Sequence, residues 1–172
     1  MSDQSNEFES ISPYNDDEAS KALGAIADHP LVPAVSKYLF PDEPDTFLKD
    51  ALKQIHSVDE FQKAVMSKAV EWVISNTAAS FTFDGVENLR TVDGCFLALS
   101  NHRDIILDPA LTQYMLLKNN IPMTQIAVGD NLLSNKYVEL LIRSNRMIKV
   151  IRGISARSLY LSSQLLSKYI RR

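Results

Sequence analysis

Residues 94–111 read GCFLALSNHRDIILDPAL, and this stretch decides the fold that the sequence predicts. Its first half, GCFLALSN, is a short apolar run bounded by a glycine and by polar residues, which is typical of a buried strand at the centre of an α/β sheet. Asp108 and Pro109 then predict the start of a helix, because aspartate accepts amide hydrogens at a helix N-terminus and proline needs no amide donor in the first turn. A buried strand followed by a helix indicates an α/β protein.

The segments on either side extend this alternation. The FTF of residues 81–83 predicts a strand, and Asp84-Gly85 predicts a turn. Apolar periodicity then continues the helix that opens at Asp108 to about residue 119, and it predicts further elements in order: a strand at 124–130, a helix at 134–145, a strand at 147–153 and a helix at 156–170. The expected architecture is a central mixed, mostly parallel sheet with flanking helices, and we expect this sheet to be incomplete.

A helical region precedes the predicted sheet. Residues 1–15 are expected to be unstructured, and helices are expected at about 16–29, 31–40 and 46–55. Ser57 and Glu60 have the spacing of a capping box, which predicts a long helix through about residue 76. On that helix an ordinary packing face is the favoured interpretation, although three side chains could form a ligand surface: Met66, Val70 and Trp72. The expected organisation is a helical region at 1–79 and an α/β domain at 80–172.

The composition is that of a folded protein, with 45% hydrophobic and 23% charged residues among 172 and a single cysteine. It excludes a disordered chain and a disulfide scaffold. The chain lacks an apolar run of about 18 or more residues, so we expect no membrane-spanning helix. The acidic opening MSDQSNEFES does not resemble a secretory signal, and the expected location is the cytoplasm.

Charge is distributed unevenly along the chain. Residues 1–50 carry 11 acids against 3 bases, whereas residues 136–172 carry 1 acid against 9 bases. A basic final fifth indicates an anionic partner, but charged residues on a helix can equally form a solvated face. The sequence leaves both interpretations open.

His102 and Asp108 are the candidate catalytic pair. His102 follows the predicted buried strand and Asp108 begins the next helix, which is where open α/β sheets place their sites. A histidine there can act as a general base if a carboxylate orients its ring. A solvated histidine followed by a structural helix cap is the alternative.

Four segments together resemble the glycerol-phosphate and lysophosphatidate acyltransferase family: FDGVENL, FLALSNHRDIILDPAL, IAVGDNLL and MIKVIRG. The resemblance covers about residues 80–172, and its signature is an Asn-His pair followed by an aspartate. It implies transfer of a fatty acyl group from acyl-coenzyme A or acyl-carrier protein to a hydroxyl of glycerol 3-phosphate or a lysophospholipid, in phospholipid biosynthesis. It further implies a protein without metal or other cofactor, peripheral on the inner face of the membrane, whose partner is an anionic lipid surface or the carrier protein and not nucleic acid.

The resemblance also assigns roles to single residues. His102 would remove the hydroxyl proton, and Asp108 would orient His102. Arg152 in KVIRG would clamp the acceptor phosphate through its forked donors. Arg103 and Lys149 could assist Arg152, but each could equally be a surface charge.

Two departures from the family pattern bear on these roles. Five residues separate His102 from Asp108 where the family usually has four, so Asp104 is an alternative orienting carboxylate. A later family block containing glutamate, glycine and arginine is not found after SKYIRR. We therefore also consider a non-catalytic acyl- or lipid-binding module, or an inactive fragment of such an enzyme.

Overall fold

The computed structural model describes residues 7–101, 103–152 and 155–172. The chain is a mixed helix and strand protein in which helices predominate. The helices are α1 (Asp16–Ala27), α2 (Val32–Leu39), α3 (Phe47–Gln54), α4 (Val58–Phe61), α5 (Ser67–Thr77), α6 (Val86–Arg90), α7 (Leu107–Lys118), α8 (Lys136–Ser144) and α9 (Ala156–Ile170). A π-helical turn at Gln62–Met66 joins α4 to α5, and the strands are β1 (Ile126–Gly129) and β2 (Met147–Val150). A short 3₁₀ turn, Asp130–Leu132, follows β1.

Side-chain caps determine where several helices begin. Asn15 accepts from the Glu18 amide at 2.9 Å while Glu18 accepts from the Asn15 amide, a reciprocal pair at the start of α1. The serine half of the predicted capping box is confirmed at α4, where Ser57 accepts from the Glu60 amide at 3.1 Å, whereas Glu60 accepts from the His56 amide at 2.8 Å. Asn135 and Ser155 cap α8 and α9. These local bonds explain why the helix positions predicted from the sequence are confirmed to within a few residues.

The helical region packs around a core of its own. That core contains aliphatic and aromatic side chains from α1 to α5, including Leu23, Phe40, Leu52, Phe61 and Val65. α1 also packs against α8, so the helical region contacts the second half of the chain.

A second, smaller core lies beneath α9. It contains Phe8, Ile11, Ile148 and Tyr169. The expectation of an unstructured segment through residue 15 is therefore wrong for residues 8–14, because Phe8 and Ile11 are buried. Arg143 also holds this segment, donating to the carbonyls of Glu9 and Ser12.

The sheet is a parallel pair. β1 and β2 run side by side with Ile126 opposite Met147 and Gly129 opposite Val150, and α8 forms the crossover between them. This β1–α8–β2 unit confirms the predicted strands at 124–130 and 147–153 and the helix between them. It places the carboxyl ends of both strands at one edge, formed by Gly129 and Val150.

The predicted strands at 81–83 and 94–101 are not formed. Both segments are irregular, and the sheet of the described residues consists of β1 and β2. Leu97 and Leu99 are 69% and 88% exposed, so the expectation of a buried central strand is wrong. A buried parallel strand requires hydrogen-bonding neighbours and covering helices, and residues 94–101 have neither strand partner nor cover here.

In the described ranges, none of the helices has the length and apolar character needed to cross a bilayer.

Candidate functional site

Two aspartates organise the segment that leads into α7. Asp108 Oδ2 accepts from the backbone amides of Arg103 at 2.6 Å and Asp104 at 2.8 Å. Asp104 Oδ1 accepts from the amides of Ile106 at 2.8 Å and Leu107 at 2.7 Å. Both carboxylates therefore fold residues 103–108 into a compact turn at a helix N-terminus, where negative charge is favoured.

The helix-capping role expected for Asp108 is filled by Asp104. α7 begins at Leu107, so Asp108 is its second residue, and its carboxylate reaches back to the amides that precede the helix. Asp104 instead binds the amides at the helix start, because an aspartate side chain readily bonds amides two and three residues ahead. The expectation that Asp108 caps the helix is wrong by this geometry. His102 lies outside the described residues, so its role as base stays a prediction.

Arg152 lies at the carboxyl edge of the sheet, just after β2. Its backbone amide donates to Asp130 Oδ1 at 3.2 Å, which ties it to the residue that follows β1. Its guanidinium lies against Gly129, where an added side-chain carbon would be 2.9 Å from Arg152 Nε. The same carbon would be 2.5 Å from Asn131 Oδ1, so glycine at this position makes room for the Asn131 side chain as well as for the arginine. Arg152 is exposed, and within the described part of the chain no hydrogen bond engages its side chain.

The two residues expected to assist Arg152 are placed differently. Lys149 forms an ion pair with Glu139 of α8, with 3.2 Å between Nζ and Oε1. Its charge is neutralised within the fold rather than directed to the strand ends. Arg103 is exposed, and its backbone amide is held by Asp108. The described contacts therefore bring neither Lys149 nor Arg103 to Arg152.

An apolar cavity lies between the turn formed by Asp104 and Asp108 and the carboxyl edge of the sheet near Arg152. Its volume is about 400 Å³, within the range of about 300–1,000 Å³ typical of small-molecule sites. Its wall includes Ile105, Ile106, Pro109 and Ala110 beside the Asp108 turn, and Val128 and Leu132 on either side of Gly129 and Asp130. The remaining wall comes from the π-helical turn, α5, α7, α8 and β2.

Both glutamine side chains in the cavity wall already have hydrogen-bond partners. Gln113 Nε2 donates to Thr124 Oγ1 at 2.7 Å, and Gln113 Oε1 accepts from the Thr124 amide at 3.0 Å. Gln62 Nε2 donates to Asn145 Oδ1 at 3.3 Å. With these amides engaged, the cavity offers an apolar chain few polar groups that it would leave unpaired.

The long helix supplies a wall that the sequence pattern only partly indicated. Met66 and Val70 line the cavity, so the less favoured interpretation of these residues as a ligand surface has structural support. Trp72, the third residue of that set, instead packs edge-on against Tyr38 with ring centroids 4.8 Å apart. Three side chains at similar helical spacing thus divide between a cavity and a helix contact.

The wall is held together by polar contacts that the sequence did not indicate. Arg146, which follows α8 with φ of 59°, donates from Nε to Gln62 Oε1 at 2.8 Å and pairs with Asp59. On the other side, Lys118 of α7 binds Glu71 of α5 at 3.2 Å. Because the Glu71 carboxylate and then Tyr114 favour its charged form, the pKa of Lys118 lies above its ordinary value.

A search of the described ranges for metal-binding groups found no cluster of three or more histidine, cysteine, aspartate or glutamate side chains. Cys95 is exposed and not in a disulfide.

Comparison with known proteins identifies no relative: no protein-family model, no curated protein and no solved structure matches this chain. The function must therefore be argued from the site itself.

Proposed function

We propose that this chain is an O-acyltransferase that moves a fatty acyl group from a thioester to a hydroxyl of a glycerol-phosphate or lysophospholipid acceptor. The observation that carries the proposal is the apolar cavity, whose wall borders the Asp108 turn and flanks the residues that contact Arg152. An acyl chain fits a mainly apolar cavity whose two glutamine side chains are already hydrogen-bonded, and an acceptor phosphate fits an exposed guanidinium.

In this proposal His102 takes the proton of the acceptor hydroxyl as its oxygen attacks the thioester carbonyl. The carbon–sulfur bond breaks, an ester bond forms, and the proton passes from His102 to the departing thiolate. A positioned base of this type contributes on the order of 10² to 10⁴ fold to the rate. Asp108 Oδ2 accepts from two backbone amides, and in this proposal the Asp108 carboxylate also orients the His102 ring.

The resemblance of residues 80–172 to the acyltransferase family supports the same chemistry. It also supports a more complete architecture for the α/β domain. That architecture is a central, mostly parallel sheet with flanking helices, of which β1–α8–β2 is the unit formed by the described residues. The proposed location is peripheral, on the cytoplasmic face of a membrane where lipid acceptors are found.

The first test is His102→Ala. We expect it to abolish acyl transfer from a long-chain acyl thioester to glycerol 3-phosphate while the circular dichroism spectrum is retained. His56→Ala, at an exposed histidine after α3, is the matched control and should keep full activity. Undiminished turnover in His102→Ala would remove the base from the mechanism.

The second test addresses the cavity. Ala110→Trp places an indole in the cavity, and each CH₂ of a ligand that it excludes costs about 0.8 kcal/mol. Exclusion of three such groups weakens binding of a fluorescent fatty acid on the order of 50-fold. Ala34→Trp, at an exposed position of α2, is the matched control. Equal affinities of the two variants for the fatty acid would show that the fatty acid binds outside this cavity.

The third test addresses the acceptor. We expect Arg152→Ala to raise the KM for glycerol 3-phosphate more than the KM for the acyl donor, because Arg152 would contact only the phosphate. Lys136→Ala removes an exposed cation from the start of α8 and should change neither value. Parallel changes in both KM values would exclude Arg152 from the acceptor site.

A non-catalytic acyl-binding module is the second candidate, and the cavity alone favours it, since binding needs no base. The two candidates differ in one measurement. If the chain binds the fatty acid and Ala110→Trp weakens that binding, but no acceptor is acylated under any donor condition, the binding module is the better assignment.

A further inference from the structure

Helix α9 has a buried inner face. Tyr169 is 3% exposed and meets Phe8 edge-on, with ring centroids 5.4 Å apart. Leu165 and Leu166 pack against the same core. The orientation of α9 on the rest of the molecule is therefore fixed, and its opposite side faces outward.

The outer face of α9 combines cations with exposed apolar side chains. It consists of residues three and four apart on one side of the helix: Arg157, Tyr160, Leu161, Gln164, Lys168 and Arg171. Tyr160 and Leu161 are 63% and 56% exposed, so two adjacent large side chains face solvent. Helix α9 contains no acidic residue.

The cations on this face differ in how they are engaged. Lys168 is paired with Glu7 at 2.6 Å. Arg157 and Arg171 are exposed and have no ion pair within the described ranges. Positive charge at both ends of the helix thus brackets the exposed tyrosine and leucine.

We infer that the outer face of α9 docks on a membrane surface rich in anionic lipid. Tyrosine and leucine favour the boundary between headgroups and acyl chains, and arginines beside them are attracted to the negative headgroups. An acidic soluble protein would complement the positive charge of this face, but it would offer less apolar surface to Tyr160 and Leu161. This inference deepens the proposed function and rests on it, since a lipid surface is where its acceptor and product would reside.

Co-sedimentation of the full chain with vesicles tests the inference. The vesicles are either phosphatidylcholine alone or equal parts of phosphatidylcholine and phosphatidylserine. We expect binding to the anionic vesicles, weakened about five-fold for each arginine removed, or about 30-fold in Arg157→Gln/Arg171→Gln. The charge-matched control is Lys21→Gln/Lys37→Gln, on exposed positions of α1 and α2, and it should bind as the unaltered chain does.

The apolar part of the face is tested by Leu161→Ser, with Leu31→Ser as its control because Leu31 is 62% exposed outside α9. We expect Leu161→Ser alone to weaken vesicle binding. Equal binding by both charge variants, or binding that ignores phosphatidylserine, would overturn the inference. So would capture of acyl-carrier protein without vesicle binding, or a Leu161-dependent dimer. Vesicle binding requires neither acyl transfer nor an occupied cavity, so the inference and the proposed function can fail separately.

Discussion

Gln62 joins the long N-terminal helix to the β1–α8–β2 unit, and its replacement by leucine tests how the cavity wall is held. The side chain is 3% exposed. It accepts from Arg146 Nε at 2.8 Å and donates to Asn145 Oδ1 at 3.3 Å. Leucine has a similar size but makes neither bond, so Gln62→Leu removes the bonds with little change in packing volume.

The expected cost follows from these two bonds. A hydrogen bond to a charged group contributes about 1.5–3 kcal/mol and a neutral one about 0.5–1.5 kcal/mol. The Arg146 side chain is 31% exposed and keeps its contact with Asp59, so water and that carboxylate offset part of the loss. We expect Gln62→Leu to lower the free energy of unfolding by about 2 kcal/mol, or Tm by roughly 4–8 °C.

Urea unfolding followed by circular dichroism gives the free energy directly, provided that the slope m is unchanged. Gln54→Leu, at the exposed end of α3, is the matched control and should change stability by less than about 0.5 kcal/mol. A cycle with Arg146→Met should show a coupling of about 1 kcal/mol. If Gln62→Leu is no more destabilising than Gln54→Leu, the bonds to Gln62 do not hold the wall.

Three further expectations concern single sites. Gly129→Ala should raise the KM for the acceptor several-fold, because the new carbon displaces the Arg152 guanidinium. The loss of stability should be small, because the atoms that this carbon meets belong to side chains that can move. An unchanged KM would contradict this expectation. Ser144→Ala should raise the unfolding free energy by about 1 kcal/mol, since Ser144 is fully buried and its Oγ has no partner among the described residues; a loss of stability would show that the hydroxyl is bonded. The hydrogen bond from Lys53 lowers the pKa of Asp28 in the folded protein. The contact therefore stabilises the fold at pH values above the pKa that Asp28 has in the unfolded chain, and this stabilisation is lost as the pH falls through the pKa of Asp28 in the folded protein. An NMR titration should show the Asp28 pKa moving back up in Lys53→Met.

Local sequence signals predicted most helices because their causes are local. The Ser57 cap and the apolar stripe after it place the long helix correctly, and Ser57 accepts from the Glu60 amide as expected. The π-helical turn at Gln62–Met66 interrupts that helix without a glycine or proline to announce it. It lies where Gln62 reaches Arg146, a partner 84 residues away, which periodicity within one segment cannot reveal.

The predicted strand at 94–101 failed for a related reason. Its apolar run satisfies the local criteria for a strand, but a strand exists only through partners, and those are determined by the rest of the chain. The predictions of β1 and β2 were confirmed because α8, which lies between them in sequence, brings the second strand back beside the first. The candidate site was limited in the same way. Arg152 was proposed from the family resemblance of KVIRG, whereas the cavity, which is built from separate segments, was not predicted.

The basic final fifth of the chain has less charge to offer a partner than its composition indicates. Arg143 donates to two carbonyls of the N-terminal segment and lies 4.3 Å from the centroid of the Tyr14 ring, measured from its guanidinium carbon. Three more cations have carboxylate partners, namely Arg146, Lys149 and Lys168. Arg143, through the carbonyls of Glu9 and Ser12, and Lys168, through its ion pair with Glu7, join the final fifth of the chain to its N-terminal segment. Binding to an anionic surface should therefore depend on the few exposed cations near the strand ends and on α9, and its salt dependence should correspond to those few.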